Sequence, residues 1–403
     1  MLWSISKINK KNISSCYIGA LIHQLSTIIS KKNMKRILLF LITLLVGGQL
    51  YAQGPSAGFL EYMNGIQQLI QNDLYGRVSA VLYDVEETPK QSVFLDFCKN
   101  VERDFQAHYS KYADKLSPEE KDAATKFTQT MMIQLGELYL DRAQELEVSE
   151  RLVFFRTFMH EMGYDKNLTS LNEDISRAII MGIHSAMNIP FGMPTQEVVA
   201  YIYKEEEPIK ELYHAAFIIN EMAMLNESYD ELEAMSAGFK KEYPASRFLP
   251  ALNTTLASLE NLREGALVQD FSFVDMEGKE RKLSEFKDKI IYLDLWASWC
   301  GPCINTFKTK TPDFEKKLRN REDVVLMYIS IDEKPESWKN YLDKNPMRGV
   351  HLFAGKGFEA DIMRYFKVWG IPRYLIIGKD NKLVSPNAPR PGDEAYEALI
   401  GLN

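Results

Sequence analysis

At 403 residues, with 46% apolar, 11% aromatic and 26% charged side chains, the chain has material for two or three packed domains, which excludes disorder as its main state. Residues 1–52 hold seven Lys/Arg and no acidic residue, so the remaining 351 carry 41 basic against 55 acidic side chains, a net charge of −14. An acidic body of this kind is a poor ligand for phosphate backbones, and nucleic acid is excluded as an expected partner.

At the N-terminus, Lys35-Arg36 precede the apolar run Ile37 to Val46, broken by Thr43, and Gly47-Gly48-Gln49-Leu50-Tyr51-Ala52 follows. A charged start, a short apolar run and a small residue before a cut make a secretory signal, here with cleavage after Ala52. The run of about 10–15 apolar residues falls short of the roughly 20 that span a bilayer as a helix; an uncleaved anchor or a buried helix is the alternative. Met34 is a candidate true start, with 1–33 an upstream extension. The expected location is therefore exported, in the periplasm or cell envelope.

Residues 53–265 read as an all-α domain. Phe127, Met131, Leu135 and Leu138 recur at helical spacing, as do Ile175, Ile179, Ile183 and Met187. Ser117-Pro118-Glu119-Glu120 is a capping box with Pro at the first helical position, and Ser170…Glu173 and Ser228…Glu231 repeat the spacing. Asn188 to Thr195, with Pro190, Gly192 and Pro194, reads as a loop, and a last helix is expected over roughly 246–262. No repeat period emerges.

After Gly265 the pattern changes. Strands are expected over Asp270 to Val274, Ile290 to Trp296, Val324 to Ile331, Arg373 to Ile377 and Lys382 to Val384. Helices are expected from Cys300, near Glu336 to Leu342, near Phe358 to Phe366, and from Asp393 to about Ile400. The alternation predicts an α/β domain over 266–403, a central mixed sheet flanked by helices, with its last two strands joined as a hairpin through Gly378-Lys379-Asp380-Asn381.

The chemistry concentrates at Trp299-Cys300-Gly301-Pro302-Cys303, where an apolar strand hands over to a helix. Four cysteines (Cys16, Cys98, Cys300, Cys303) are too few for a disulfide scaffold, and a C-x-x-C pair is expected by chance only about 0.03 times. Spacing of three on a helix puts both sulfurs on one face, within reach of a disulfide. Cys300, at the helix start, has its thiolate stabilised by unpaired N–H groups and the helix dipole, and is the expected attacking thiol; Cys303, one turn in, is the resolving one. A metal site needs two more ligands, and no second C-x-x-C or H-x-x-x-H supplies them. Cys98, among Phe94, Phe97 and Val101, reads as a buried apolar thiol. His108, His160, His184, His214 and His351 are scattered and read as surface or satisfied core residues.

Asp294-Leu295-Trp296-Ala297-Ser298-Trp299-Cys300-Gly301-Pro302-Cys303 resembles the active-site strand and helix start of thioredoxins, over about 266–403. The opening Phe271 to Phe286, with Leu283-Ser284-Glu285-Phe286, is similar to the extra segment of exported TlpA/ResA-like thiol:disulfide oxidoreductases. The resemblance implies that Trp369-Gly370-Ile371-Pro372 is the cis-proline loop facing the cysteines, with the backbone of Ile371 open to a client. It also implies that Trp299, Gly301, Pro302, Ile371 and Pro372 bind substrate, and that Asp294 is the buried carboxylate taking the Cys303 proton. Departures are Thr306, where many exported relatives carry Glu, Tyr328 in place of the thioredoxin lysine, and Lys308 in place of the kinking proline. With Pro312 four residues further on, the helix should bend or break near Thr309 to Pro312.

The implied activity is reduction of disulfides in envelope proteins, with no cofactor beyond the Cys300–Cys303 pair and with electrons from a membrane-embedded thiol donor. The helical domain would bind clients or form a homodimer. The Gly-Pro dipeptide is that of thioredoxin, at about −270 mV against about −120 mV for DsbA, and leans toward reduction. Without a donor the same pair becomes an oxidant or isomerase. A non-catalytic helical adaptor is the remaining alternative, and the intact cysteine pair argues against it.

Overall fold

The computed structural model describes residues 55–189, 196–225 and 227–402. The expected leader, 1–52, and most of the expected loop before Gln196 lie outside them. The chain divides into two compact units, one up to Ala216 and one from Phe217 onward.

The first unit is all-helical. α1 (Ala57–Leu69) continues through a π-helical turn (Ile70–Leu74) into α2 (Tyr75–Leu82), followed by α3 (Gln91–Ser110), α4 (Pro118–Arg142) and α5 (Val148–Glu161). Then come the short α6 (Tyr164–Asn167), α7 (Glu173–Met187), α8 (Gln196–Ile202) and α9 (Ile209–Met224), within which the division at Ala216 falls. The start of α4 is the capping box that the sequence predicts: Glu120 N donates to Ser117 Oγ at 3.2 Å, and Ser117 N donates to Glu120 Oε2 at 2.9 Å. The same carboxylate accepts from Ser56 N at 2.8 Å and Ser56 Oγ at 3.0 Å, so Glu120 secures the starts of both α1 and α4. The expected cap at Ser170 is corrected to Asn172, whose Oδ1 accepts from Ile175 N at 2.8 Å. Asn172 is the last extended residue before the helix, and an amide oxygen there reaches the third helical N–H as well as a serine would. The apolar rows meet in the core, where Met131, Leu135 and Leu138 are buried with Ile175, Ile179 and Ile183. α5 and α7 approach so closely that a Cβ at Gly182 would lie 2.2 Å from Phe155 Cζ.

In the second unit α10 (Tyr229–Glu242) starts at the Ser228/Glu231 capping box, and α11 (Leu249–Ala257) is followed by a 3₁₀ turn at Glu260–Leu262. The helix expected over 246–262 is thus two shorter pieces. The sheet elements are β1 (Ser272–Val274), β2 (Glu280–Lys282), β3 (Ile290–Trp296), α12 (Gly301–Thr309), α13 (Thr311–Lys317), β4 (Val324–Ser330) and α14 (Pro335–Lys344). They continue with β5 (Val350–Phe353), α15 (Asp361–Tyr365), β6 (Arg373–Ile377), β7 (Leu383–Ser385) and α16 (Asp393–Ile400). The strand order is β2-β1-β5-β4-β3-β6-β7, with β3, β4 and β5 mutually parallel and the others antiparallel to their neighbours. This is the α/β class expected: a mixed sheet flanked by helices. All seven residues of β3 are buried, as a central strand covered on both faces requires. On one face Ile290, Tyr292, Tyr374 and Ile376 pack with Phe314, Leu318 and Leu399.

α12 stops at Thr309 and α13 begins at Thr311, with Lys310 out of helical geometry between them. Pro312 has no N–H for the preceding turn and its ring clashes with the carbonyl four residues back, so the break falls in the predicted window.

The change of composition at residue 265 and the change of compact unit at residue 216 do not coincide. Hydrogen bonds tie the intervening residues to the sheet domain: Asn261 Nδ2 to Tyr365 O at 3.1 Å, Lys367 Nζ to Ser258 Oγ at 2.8 Å, and Asn387 Nδ2 to Leu225 O at 3.3 Å. Among the described residues no helix is long and apolar enough to cross a membrane.

Candidate active site

β3 delivers the chain through Ala297, Ser298 and Trp299 to Cys300, which caps α12 in an extended conformation (φ −79°, ψ 98°). Its sulfur accepts a hydrogen bond from Cys303 N at 3.2 Å. Cys300 and Cys303 form a disulfide with Cα atoms 5.3 Å apart. Cys303 is fully buried, whereas Cys300 keeps 4% of its surface, so a reagent from solvent meets Cys300 first. Gly301 and Pro302, between them, are exposed. A thiol at this position faces the free N–H groups of the first helical turn, which favour its thiolate.

Asp294 lies six residues upstream in the middle of β3, buried to 1%, with neither carboxylate oxygen hydrogen-bonded. Burial pushes its carboxyl well above the usual range, and the charge of Arg390 only partly opposes this. Its neighbours across the sheet are Tyr328 on β4 and Tyr374 on β6. Burial also raises both phenols. Tyr328 donates to Glu315 Oε1 at 3.3 Å and stacks on His351 at 5.0 Å. Thr306 is buried, its hydroxyl donating to Pro302 O at 3.1 Å.

The peptide bond between Ile371 and Pro372 is cis, and both residues are half-buried. β6 runs antiparallel to β3 with Arg373 opposite Leu295. Pro372 therefore sits at the same end of the sheet as Trp296 and the turn to Cys300. Two tryptophans stand open at this end: Trp299 is 57% exposed and Trp369 66%. The Trp299 ring lies 6.2 Å from Phe358. The fold thus gathers the cysteine pair, Trp299, Gly301, Pro302 and the Ile371–Pro372 bond at one edge, with Asp294 beneath in the sheet. A disulfide at a helix start, reached from a strand that carries a buried carboxyl without a hydrogen-bond partner, can exchange disulfides and hold a proton.

Sequence reading missed Asp332. Its carboxylate, 1% exposed, accepts from Ser298 N at 2.9 Å, Ser298 Oγ at 2.7 Å and Ser330 Oγ at 2.8 Å. The available signal was Ser330-Ile331-Asp332 at the C-terminal end of a parallel strand, where functional loops of α/β sheets gather. Trp369 and Phe358 carried a weaker one, as aromatics set among glycines. Cys98 is fully buried, and burial pushes its thiol up. Of the histidines, His108 Nε2 lies 3.1 Å from Tyr62 O, His160 Nδ1 lies 2.7 Å from Asp165, and His351 Nε2 lies 3.1 Å from Met347 O.

Residues 288–383 match a family model described as thioredoxin-like. Thiol-disulfide oxidoreductase ResA of Bacillus thuringiensis subsp. konkukian is 26% identical over 125 residues, 31% of this chain and 69% of that protein. ResA of Bacillus subtilis is 24% identical over 132 residues, 33% of this chain and 71% of that protein. The crystal structure of a candidate thiol-disulfide oxidoreductase from Bacteroides vulgatus is 33% identical, covering 35% of this chain and 97% of that one, with a TM-score of 0.32. By its C-terminal domain the chain belongs to the thioredoxin superfamily, as a ResA-like thiol:disulfide oxidoreductase.

Proposed function

We propose that the protein is exported and reduces disulfides of envelope proteins through Cys300 and Cys303. The observation that carries this reading is the Cys300–Cys303 disulfide at the start of α12, above an Asp294 carboxyl with no hydrogen-bond partner. In the reduced enzyme the Cys300 thiolate attacks one sulfur of a client disulfide. A mixed disulfide forms and the other client sulfur leaves as thiolate. Cys303 then gives its proton to Asp294 and attacks Cys300, closing the enzyme disulfide and releasing the second client thiolate. Two electrons pass from the pair to the client, and no further cofactor takes part.

Trp299, Gly301, Pro302, Ile371 and Pro372 form the client-facing surface in this proposal, with the Ile371 backbone available for strand-like pairing. A membrane-embedded thiol donor returns the two electrons to Cys300–Cys303. The helical domain binds clients or makes a homodimer.

The deciding measurement is the potential of the Cys300/Cys303 couple, equilibrated against thiol redox buffers. A value near or below about −270 mV supports the reductase; one near about −120 mV assigns the opposite direction, an oxidant.

A further inference from the structure

The turn that leads to Cys300 is closed by Cys300 N donating to Ala297 O at 3.0 Å and is held from β4's end by a carboxylate. Ser298, two residues before Cys300, is bonded to Asp332 through both its backbone N–H and its hydroxyl, at 2.9 and 2.7 Å. Asp332 is itself fixed: Ser330 Oγ donates to its Oδ2 at 2.8 Å, Asp332 N donates back to Ser330 Oγ at 3.1 Å, and Ile331 N donates to Trp296 O at 2.9 Å. Its carboxylate accepts all three of the bonds it makes, two from hydroxyls and one from a backbone N–H. No Lys or Arg pairs with it among the described residues.

We propose that Asp332 is a positioning residue for the exchange reaction: it holds the turn that presents Cys300 and sets an unpaired negative charge behind the attacking sulfur. This rests on the reading that Cys300 is the attacking thiol. Ser298 and Cys300 lie at most about 7 Å apart along the backbone, so the carboxylate held on Ser298 belongs to the same turn as the sulfur, and a charge there is weakly screened by the buried surroundings. It opposes the helix start, which favours the thiolate, and so keeps Cys300 more basic and the couple more reducing than Gly-Pro and the helix alone provide. The other titratable and charged groups on the surrounding elements are Asp294 of β3, Cys303 of α12, Arg373 and Tyr374 of β6, and the exposed Glu333 and Lys334 beside Asp332. Arg364 and Glu359, by α15, pair with each other.

The test is the pH dependence of iodoacetamide alkylation of Cys300 in a Cys303→Ser background, where no second thiol competes. Asp332→Asn removes the charge and keeps the shape. Its alkylation midpoint should fall by about one pH unit, a tenfold gain in thiolate below the midpoint. Ser330→Ala removes one donor from the carboxylate, leaves its charge less compensated, and should move the midpoint up. Ser298→Ala also removes one hydroxyl donor from the carboxylate while keeping the backbone bond, and should move the midpoint in the same direction as Ser330→Ala. With Cys303 restored, Asp332→Asn should make the couple more oxidising by about 30 mV for that tenfold change. Unmoved midpoints in both Asp332→Asn and Ser330→Ala, with lowered Tm alone, would overturn the proposal and leave Asp332 a structural residue. Turnover of the neutral 2-hydroxyethyl disulfide by the unmodified protein is the separate control. Its absence counts against the reductase reading, whereas the alkylation midpoints decide the role of Asp332 in either case.

Discussion

Asp294 on β3 stands opposite Tyr374 on the antiparallel β6, and neither oxygen of its carboxylate finds a hydrogen-bond donor. A buried carboxyl left unsatisfied is costly to the fold, and the cost rises once it is ionised. The proposed mechanism gives that cost a use, because the same group is well placed to receive a proton and give it up. The two consequences can be separated by one substitution. Asp294→Asn should slow resolution of the mixed disulfide by about 10²-fold or more, since an amide cannot take the Cys303 proton. Stopped-flow reduction of a model disulfide between pH 6 and 9 measures it, and unchanged turnover across that range would make Asp294 structural.

The same variant should be more stable at neutral pH. Burial raises the Asp294 carboxyl in the folded state. As pH rises above the unfolded value, near about 3.9, the unfolded chain loses the proton while the folded one keeps it, so the stability of the parent falls up to the folded value. Asp294→Asn removes that slope. Thermal unfolding at pH 8 should show a higher Tm for the variant, by about 2–4 °C per kcal/mol gained, and the difference should shrink at pH 4. A variant less stable at pH 8 would point to an unseen partner for the carboxylate.

Much of this site was legible because it is local in sequence. The C-x-x-C pair, the apolar strand before it and the break at Lys310 each follow from residues a few positions apart. β3 and β6 fall on their expected bounds because buried strands read as near-continuous apolar runs, interrupted in β3 only by Asp294 and opened in β6 by the half-buried Arg373. The short β2, Glu280–Lys282, was not legible: it is an edge strand made entirely of charged residues, and only its pairing with β1 defines it. β5 is four residues long with no period to read. Asp332 was missed for a related reason. Its partner Ser298 is 34 positions away, and the two meet only because β3 and β4 run side by side in parallel.

Glu120 offers a test of the helical unit. Burial alone would raise its carboxyl, but the N–H groups of Ser117 and Ser56 and the Ser56 hydroxyl outweigh this and hold it below the usual value. A depressed carboxyl contributes stability above its unfolded value, near about 4.3, and loses it as pH falls through the lower folded value. Glu120→Ala should cost about 1–3 kcal/mol at pH 7, because two helix starts lose their acceptor together. Urea unfolding at pH 7 and at pH 3 checks this. Equal losses at both would show that packing, and not the charged acceptor, is at work.

Cys98 should stay outside the redox chemistry. It is fully buried in α3, and burial raises its thiol. The thiolate, which is the reactive form, is thereby suppressed. In a chain starting at residue 53, the native oxidised protein should show no thiol that reacts with a maleimide, and the denatured oxidised protein one. Labelling of Cys98 under native conditions would mean that α3 opens readily.

The proposed order of attack rests on the exposures of the two cysteines. Cys300 keeps 4% of its surface at the helix start and Cys303 has none. Exchange passes through a mixed disulfide that normally survives only until the second thiol cleaves it. Cys303→Ser leaves the attacking thiol and supplies only a hydroxyl, which cannot displace sulfur. Covalent adducts with client proteins should therefore accumulate, visible as reducible high-mass bands and identifiable by mass spectrometry, while Cys300→Ser should give none. The exposed Trp299 and Trp369 flank the same end of the sheet, so Trp369→Ala in the trapping variant should reduce adduct yield without changing the alkylation of Cys300 by a small reagent. Adducts on Cys300→Ser in place of Cys303→Ser would reverse the roles of the two thiols. Adducts on neither, in any growth condition, would count against catalysis by the pair.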